Sequence, residues 1–160
     1  MNRIASIAMA ALFLSASMLA GQAVANDYYG KQKVVYHINY DNPKAQTGAL
    51  RNIQNHINAV GAENLDLVVV LHGNGLSLLL DPASLERLTK FKHANGDQVM
   101  TANVANLKNQ GVNFAICKNT MTGRNVELTD LYDVDEKDIV PSGVAQLSKL
   151  QQEGYTYIKP

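Results

Sequence analysis

Two side chains in this sequence, one thiol and one imidazole, have types and positions suited to catalysis. Cys117 is the only cysteine among 160 residues and ends the apolar run 111–117, while His72 directly follows the apolar run 65–71. Thiolate is the nucleophilic form of cysteine, and a nearby imidazole can deprotonate or orient it. We therefore expect a working thiol at Cys117. The alternatives are that Cys117 packs as a small apolar side chain, and that His72 caps a strand or contacts a neighbouring subunit.

Polar residues after Cys117 supply candidate supporting groups, namely Lys118, Asn119 and Thr120. A lysine lowers the pKa of a thiol when the two side chains face each other, which requires the chain to have left the extended conformation after Cys117. Backbone N–H groups at a helix start near Asn119 would act in the same direction. These residues are the predicted support for the thiol.

The loop Gly73-Asn74-Gly75 after His72 is the candidate binding segment. Glycines permit close backbone approach, and unpaired N–H groups of such a loop can hold an anion, although a plain turn explains the same residues. The loop lacks the third glycine of a dinucleotide fingerprint and the lysine of a phosphate-binding P-loop. The four histidines and the cysteine show no metal-ligand spacing. We expect no metal and no bound cofactor, although an α/β fold by itself does not exclude a flavin.

The first 25 residues have the pattern of an export signal. Arg3 is followed by a largely apolar stretch, and Ala23-Val24-Ala25 has the small-x-small pattern of a signal-peptidase site. An uncleaved membrane anchor is the competing interpretation, but the apolar run is short for a span. We predict a signal peptide over 1–25, an arm over 26–32, one domain over 33–160, and a periplasmic or secreted protein with no membrane contact after cleavage.

Charge and cysteine usage limit the possible partners. The chain has 14 Lys and Arg against 14 Asp and Glu, and no basic run alternates with aromatic residues, so nucleic acid is not an expected partner. A single cysteine cannot form an intramolecular disulfide, even in an oxidising compartment. The thiol is then buried and inert, joined to another chain, or reactive.

Hydrophobic periodicity predicts alternating strands and helices. The predicted strands are apolar or β-branched runs at 33–40, 65–71, 111–117, 139–140 and 155–158. A first helix follows the Asn42-Pro43 start signal, and a second, beginning with Leu85 and Leu88, is interrupted by the turn Asn95-Gly96. Asp97 caps the next helix. A final helix has Pro141 at its first position. Three of the predicted helices have one apolar stripe each: Leu50, Ile53, Ile57 and Val60 in the first helix; Met100, Val104 and Leu107 in the helix capped by Asp97; and Val144, Leu147 and Leu150 in the final helix.

This order of elements predicts a flavodoxin-like α/β/α domain with a mostly parallel five-stranded sheet. The carboxyl ends of parallel strands lie along one edge, so His72 and Cys117 are expected at a common crevice. The apolar segment Leu76 to Leu80 after the crevice loop suits either self-association or ordinary core packing.

Three segments carry a combination of motifs that resembles a known family. They are the strand ending in His-Gly (69–76), the cysteine strand and its loop (111–121), and the tail (139–144 and 150–160). Together they span most of 33–160 and resemble the DsrE/DsrF-like group of sulfur-relay proteins. The export signal departs from the cytosolic relay members of that group.

The resemblance implies a compact α/β domain that assembles into homotrimers or homohexamers. It also implies that Cys117 carries sulfur as a persulfide and passes it to a partner thiol protein or a small sulfur compound, with the His72 loop and 119–120 lining the crevice. The activity would be that of a sulfur carrier or a sulfurtransferase-like protein. The other function that fits the residues is a non-catalytic oligomeric module that binds a small ligand or a protein, with Cys117 structural.

Overall fold

The structure, a computed structural model, describes residues 28–160. The predicted signal peptide and the first two residues of the predicted arm lie outside the described residues. The strands are β1 (Gln32–Ile38), β2 (Leu65–Leu71), β3 (Asn113–Cys117), β4 (Ile139–Val140) and β5 (Thr156–Ile158). The α-helices are α1 (Pro43–Val60), α2 (Gln98–Asn109), α3 (Lys118–Arg124) and α4 (Gly143–Gln152).

The strands form one sheet in the order β4-β3-β2-β1-β5, and every neighbouring pair of these strands is parallel. The predicted flavodoxin-like α/β class and parallel sheet are therefore confirmed. Placing β5 beside β1 brings the last described residues of the chain next to its first strand, with Val35 opposite Tyr157.

The two faces of the sheet are covered unequally. The larger core lies on the face that carries α1, α2 and α3, while α4 is the one α-helix within residues 28–160 that packs on the other face. Side chains of successive strand residues point to opposite faces, so Tyr36 and Ile38 join the larger core and Val35 joins the smaller one. The smaller core consists of Val35, Val68, Val70, Ala115, Leu147 and Leu150.

The two long helices begin where their capping residues predict. The Asn42 side chain accepts a hydrogen bond from the Ala45 N–H at 2.9 Å, with Pro43 in the first turn of α1. Asp97 accepts from the Met100 N–H at 2.9 Å and starts α2. Each cap satisfies an N–H group that has no partner inside its helix.

Several predicted details are wrong, including the strand starts, since β3 begins at Asn113 rather than residue 111 and β5 at Thr156 rather than residue 155. Strand β1 ends at Ile38 rather than residue 40, and the segment from Pro82 to Glu86 forms a 3₁₀ turn instead of an α-helix that begins at Leu85. The final helix begins at Gly143, because the Ser142 hydroxyl caps it, so Pro141 precedes the cap. Val144, predicted as part of the buried stripe, is 64% exposed. Its side chain lies beyond the edge of the small core.

The segment after β2 is anchored in the interior. Leu76 and Leu78 to Leu80 are completely buried in the larger core, which decides between the two predictions for this segment in favour of core packing. The Gln46 side chain donates to the Ser77 hydroxyl at 2.9 Å and accepts from the Asn95 amide at 2.7 Å. This buried network of satisfied polar groups holds the loop that follows His72.

Two further properties concern ligands and membranes. Across the described residues, no helix combines the length and apolar composition needed to span a membrane. In the same part of the chain, no group of three or more His, Cys, Asp or Glu side chains is arranged to hold a metal ion.

Candidate functional site

The thiol lies where two neighbouring strands send the chain to opposite faces of the sheet. After β3 the chain enters α3, whose Met121 joins the larger core; after β4 it enters α4, whose Leu147 joins the smaller one. Adjacent parallel strands with oppositely directed connections form a crevice at their carboxyl ends, which is the usual ligand position in open α/β sheets. Cys117 is the last residue of β3 and lies opposite Val140 of β4.

The Cys117 side chain is buried but has polar neighbours. It is 5% exposed, and burial is the largest single influence on the pKa of its thiol, which it raises. The Thr120 hydroxyl and the backbone N–H groups of Gly143, Thr120 and Asn119 act in the opposite direction as hydrogen-bond donors to the sulfur. Together these donors outweigh burial, so the pKa of Cys117 lies below its ordinary value. The arrangement stabilises a buried thiolate.

The Thr120 hydroxyl is oriented by the loop after β2. Its oxygen accepts a hydrogen bond from the Gly73 N–H at 2.9 Å. A hydroxyl carries one proton and two acceptor positions, so accepting from Gly73 leaves the proton free to donate to Cys117. The residue that follows His72 therefore directs the donor that acts on the thiol.

Gly143 lies between the thiol and the imidazole. A Cβ atom added at Gly143 would lie 2.8 Å from the Cβ of His72 and 3.2 Å from the Cβ of Cys117. Both contacts are shorter than ordinary packing allows, so a glycine is required for the first turn of α4 to approach this closely. Sequence reasoning treated the segment 141–144 as a helix start and as part of the family tail motif, and missed this packing role of Gly143.

A chain of hydrogen bonds extends from His72 across the sheet. Nε2 of His72 lies 2.7 Å from Nε2 of His37, and Nδ1 of His37 lies 2.7 Å from the hydroxyl oxygen of Tyr157. The two imidazole rings are stacked with centroids 4.7 Å apart. His37, which is 7% exposed, follows Tyr36 on β1 and therefore points to the α4 face.

Both imidazoles are held toward the neutral form. Burial, followed by the charges of His72 and Lys159, lowers the pKa of His37 to about 4. Burial and then the Lys159 charge also lower the pKa of His72. A neutral imidazole presents one N–H donor and one acceptor nitrogen, so the pair can share a proton between the two Nε2 atoms.

These rings form one wall of an open cleft of about 620 Å³ on the α4 face. Helix α4 forms the opposite wall. The cleft is lined by His37, His72, Val144, Leu147, Ser148, Gln151, Gln152 and Tyr157. The α4 residues among them are uncharged, and Tyr157 is 40% exposed at the cleft.

The structure brings some of the predicted residues together and separates others. Cys117, His72, Asn119 and Thr120 lie around one point, as their positions at strand ends imply. Lys118 is exposed and lines a different hollow together with Glu136 and Pro141. It is not among the groups that shift the pKa of the thiol.

The glycine loop has structural partners for both of its glycine N–H groups. The Gly73 N–H donates to Thr120, and the Gly75 N–H donates to the backbone oxygen of His72 at 3.0 Å. A Cβ at Gly75 would lie 2.0 Å from the backbone oxygen of Ile38, so Gly75 is needed for close packing against β1. The sequence left a plain turn and an anion site open for this loop, and these contacts favour the turn.

Sequence reasoning missed His37 and Tyr157. They lie 120 residues apart and meet only because β5 pairs with β1. The one available signal was the alternation of β1, which points His37 to the face opposite Tyr36. Nothing in the sequence pattern states which strand lies next to β1.

The fold and the site together define a parallel α/β protein with one cysteine at the crevice between β3 and β4, where the chain leaves two neighbouring strands toward opposite faces of the sheet. Residues 33–160 match the model of the DsrE/DsrF-like family. The chain belongs to that family, as its motifs predict. This is a sulfur-relay-type family, and no functionally curated protein matches the chain in sequence.

Two solved structures are similar to this fold. Protein MTH1491 from Methanobacterium thermoautotrophicum, described as a protein of unknown function, is 27% identical with a TM-score of 0.65, over 81% of this chain and 100% of that one. The ychN protein from E. coli is 15% identical with a TM-score of 0.56, over 82% of this chain and 99% of that one. The latter similarity concerns the fold alone.

Proposed function

We propose that this protein is a thiol-based sulfur carrier that holds sulfane sulfur on Cys117 as a persulfide. The observation that supports the proposal most strongly is the set of donors around the sulfur. Three backbone N–H groups and one hydroxyl lower the pKa of a thiol that burial alone would raise. A buried cysteine with only a packing role needs no such donors, whereas a thiolate nucleophile does.

The carrier reaction balances without an added oxidant. The Cys117 thiolate attacks a sulfane sulfur of a polysulfide, a new S–S bond forms, and the donor leaves with the electron pair of its broken S–S bond. An acceptor thiolate then attacks the outer sulfur of the Cys117 persulfide, and Cys117 leaves as a thiolate. The N–H donors that stabilise the thiolate before loading are in place to stabilise it again after release.

The proposal is tested by measuring the intact mass of the protein after incubation with inorganic polysulfide. The native chain should gain the mass of one sulfur atom, and dithiothreitol should remove it. The Cys117→Ser variant should gain nothing. Addition of a small acceptor thiol should transfer the sulfur and restore the original mass. A native chain of unchanged mass contradicts the carrier function.

A non-catalytic binding module is the second candidate, favoured by the 5% exposure of Cys117 and by the open cleft beside it. In that case Cys117 packs, and the cleft holds a small ligand. A Cys117→Ser variant that retains all biological activity, together with a native thiol that takes up no sulfur, would support this function.

Export and assembly are part of the proposal. The signal pattern over 1–25 supports export, which fractionation and the mass of the mature chain test; a chain that begins at Asn26 outside the cytoplasm is expected. Assembly as a trimer or hexamer is supported by the thin cover of the α4 face and by the exposed side chains of Val144 and Tyr157. Light scattering during gel filtration measures the subunit number, and a monomer contradicts assembly.

A further inference from the structure

The His72–His37–Tyr157 chain has two ends with different surroundings. At one end, His72 and Cys117 both have their Cβ atoms within 3.2 Å of the position that a Gly143 Cβ would occupy. At the other end, Tyr157 is 40% exposed at the cleft. The middle member, His37, is buried, and the two nitrogen atoms of its ring bond to the two ends at 2.7 Å each.

The bonding pattern of this chain permits two complete arrangements of protons. In the first, the Tyr157 hydroxyl donates to Nδ1 of His37, and Nε2–H of His37 donates to Nε2 of His72. In the second, Nε2–H of His72 donates to His37, and Nδ1–H of His37 donates to the oxygen of Tyr157. Each neutral imidazole has one donor and one acceptor nitrogen in both arrangements. The second arrangement leaves Nδ1 of His72 as an acceptor.

We propose that His37 and Tyr157 extend His72 into a proton-transfer path between Cys117 and the cleft. The inference rests on the proposed role of Cys117 as a working thiol. His72 takes the thiol proton at Nδ1 through one intervening water as the sulfur attacks. Nε2–H of His72 then passes a proton to His37, and Nδ1–H of His37 passes one to Tyr157. The Tyr157 hydroxyl releases its proton to the solvent in the cleft, so one proton leaves for each thiolate formed.

The surroundings of the path keep both imidazoles neutral, so each ring has one nitrogen that can accept a proton while the other releases one. The positive charge of Lys159 acts on both imidazoles, and burial also disfavours their charged forms. The α4 residues on the opposite wall of the cleft are uncharged. His37 and Tyr157 act through His72, so they are positioning residues, and their contribution is to carry the proton through a buried region.

The test uses methyl methanethiosulfonate, which reacts with a thiol without any sulfur-carrier property of the protein. The Cys117 sulfur bonds to the thiomethyl sulfur, the S–SO₂ bond breaks, and methanesulfinate leaves with the electron pair. Rates are measured on the full chain at a pH below the measured pKa of the thiol, where the proton is present. The same rates are measured in mixtures of H₂O and D₂O to count the protons that move.

Four variants separate a path from a structural role. His37→Phe keeps a stacked ring but removes both nitrogens, and His37→Gln keeps a group able to bond His72 but loses the link to Tyr157. Tyr157→Phe removes the exit hydroxyl. The matched control is Tyr36→Phe, because Tyr36 makes a similar bond to His56 at 3.1 Å on the other face of the sheet.

A proton path predicts that His37→Phe, His37→Gln and Tyr157→Phe all slow the reaction by about tenfold or more, since a general base contributes at least that much. If several protons move, a plot of the wild-type rate against deuterium content should be curved rather than linear. The Tyr36→Phe variant should behave like wild type. Full activity in His37→Gln and Tyr157→Phe overturns the path, as does a native thiol that does not react. The polysulfide experiment decides the carrier function separately, because this reaction does not require it.

Discussion

The Thr120 hydroxyl oxygen accepts a hydrogen bond from the Gly73 N–H at 2.9 Å, and this bond couples the loop after β2 to α3, the helix that begins directly after Cys117. Because the oxygen is used as an acceptor on one side, the hydroxyl proton is directed to Cys117. One side chain thereby joins the two strand ends that carry the imidazole and the thiol. The relationship has a direct consequence for the reactivity of Cys117.

Replacing Thr120 with valine should raise the pKa of the Cys117 thiol, because a donor to the thiolate is lost while burial is unchanged. A hydrogen bond to a charged group contributes about 1.5–3 kcal/mol, so alkylation by iodoacetamide near neutral pH should slow about tenfold or more. The control is Thr122→Val, the same substitution at an exposed position of the same helix. Equal rates in both variants would show that Thr120 does not act on the sulfur.

The close approach of α4 predicts that Gly143→Ala both destabilises the protein and lowers the reactivity of Cys117. The added methyl group would lie 2.8 Å from His72 Cβ, so the first turn of α4 must move and its N–H donor leaves the sulfur. Gly48→Ala in α1 is the control, because nothing lies within 4 Å of its added Cβ. It should raise the free energy of unfolding by about 0.5–1 kcal/mol. A Gly143→Ala variant as stable and as reactive as wild type would contradict this packing.

The lowered pKa of His37 predicts a specific dependence of stability on pH. Between the ordinary value of 6.5 and about 4, the unfolded chain binds more protons at this histidine than the folded chain does. The contribution of His37 to the free energy of unfolding should therefore be complete above pH 6.5 and decrease as the pH falls toward 4. Urea denaturation across this range measures the slope. His37→Gln should reduce this slope without abolishing it, because His72 and His56 also have lowered pKa values. A substitution of the exposed His93 with glutamine should retain the slope.

The buried amide network predicts a large cost for removing Gln46. Gln46→Leu would remove the partner of the backbone oxygen of Tyr40, whereas the Asn95 amide would keep its bonds to the Asp41 oxygen and the Ser77 hydroxyl. A buried polar group left unsatisfied costs about 1–3 kcal/mol, so the unfolding free energy should fall by about that amount. Gln54→Leu, a substitution in the same helix at a half-buried position, should cost less than half as much. A larger loss of unfolding free energy in Gln54→Leu than in Gln46→Leu would show that the buried network contributes little to stability.

Sequence patterns predicted the elements whose cause is local. The apolar runs became strands, and the stripe of Leu50, Ile53 and Ile57 became the buried face of α1. The strand ends at His72 and Cys117 then followed from parallel topology, because the carboxyl ends of parallel strands share one edge. Motif resemblance identified the family.

Other parts of the site depend on contacts that no local pattern contains. The Tyr157–His37 bond requires β5 to lie beside β1, and Gly143 between His72 and Cys117 depends on how far α4 descends onto the sheet. For Lys118 the error was the reverse, because a local pattern suggested a contact that the fold does not make. Its neighbouring position in the sequence suggested contact with the thiol, but α3 begins at once after Cys117 and turns the lysine toward solvent.

The central claim is that hydrogen-bond donors overcome burial and keep Cys117 ionised more readily than an ordinary thiol. The most direct measurement is the pH dependence of alkylation of Cys117 by iodoacetamide in the native protein and in the same protein unfolded in urea. The only cysteine of the chain provides its own reference in the unfolded state. We expect the native profile to have its midpoint at lower pH than the unfolded one. A native midpoint equal to or above the unfolded midpoint would mean that burial dominates, and would contradict the account of Cys117 as a working thiol.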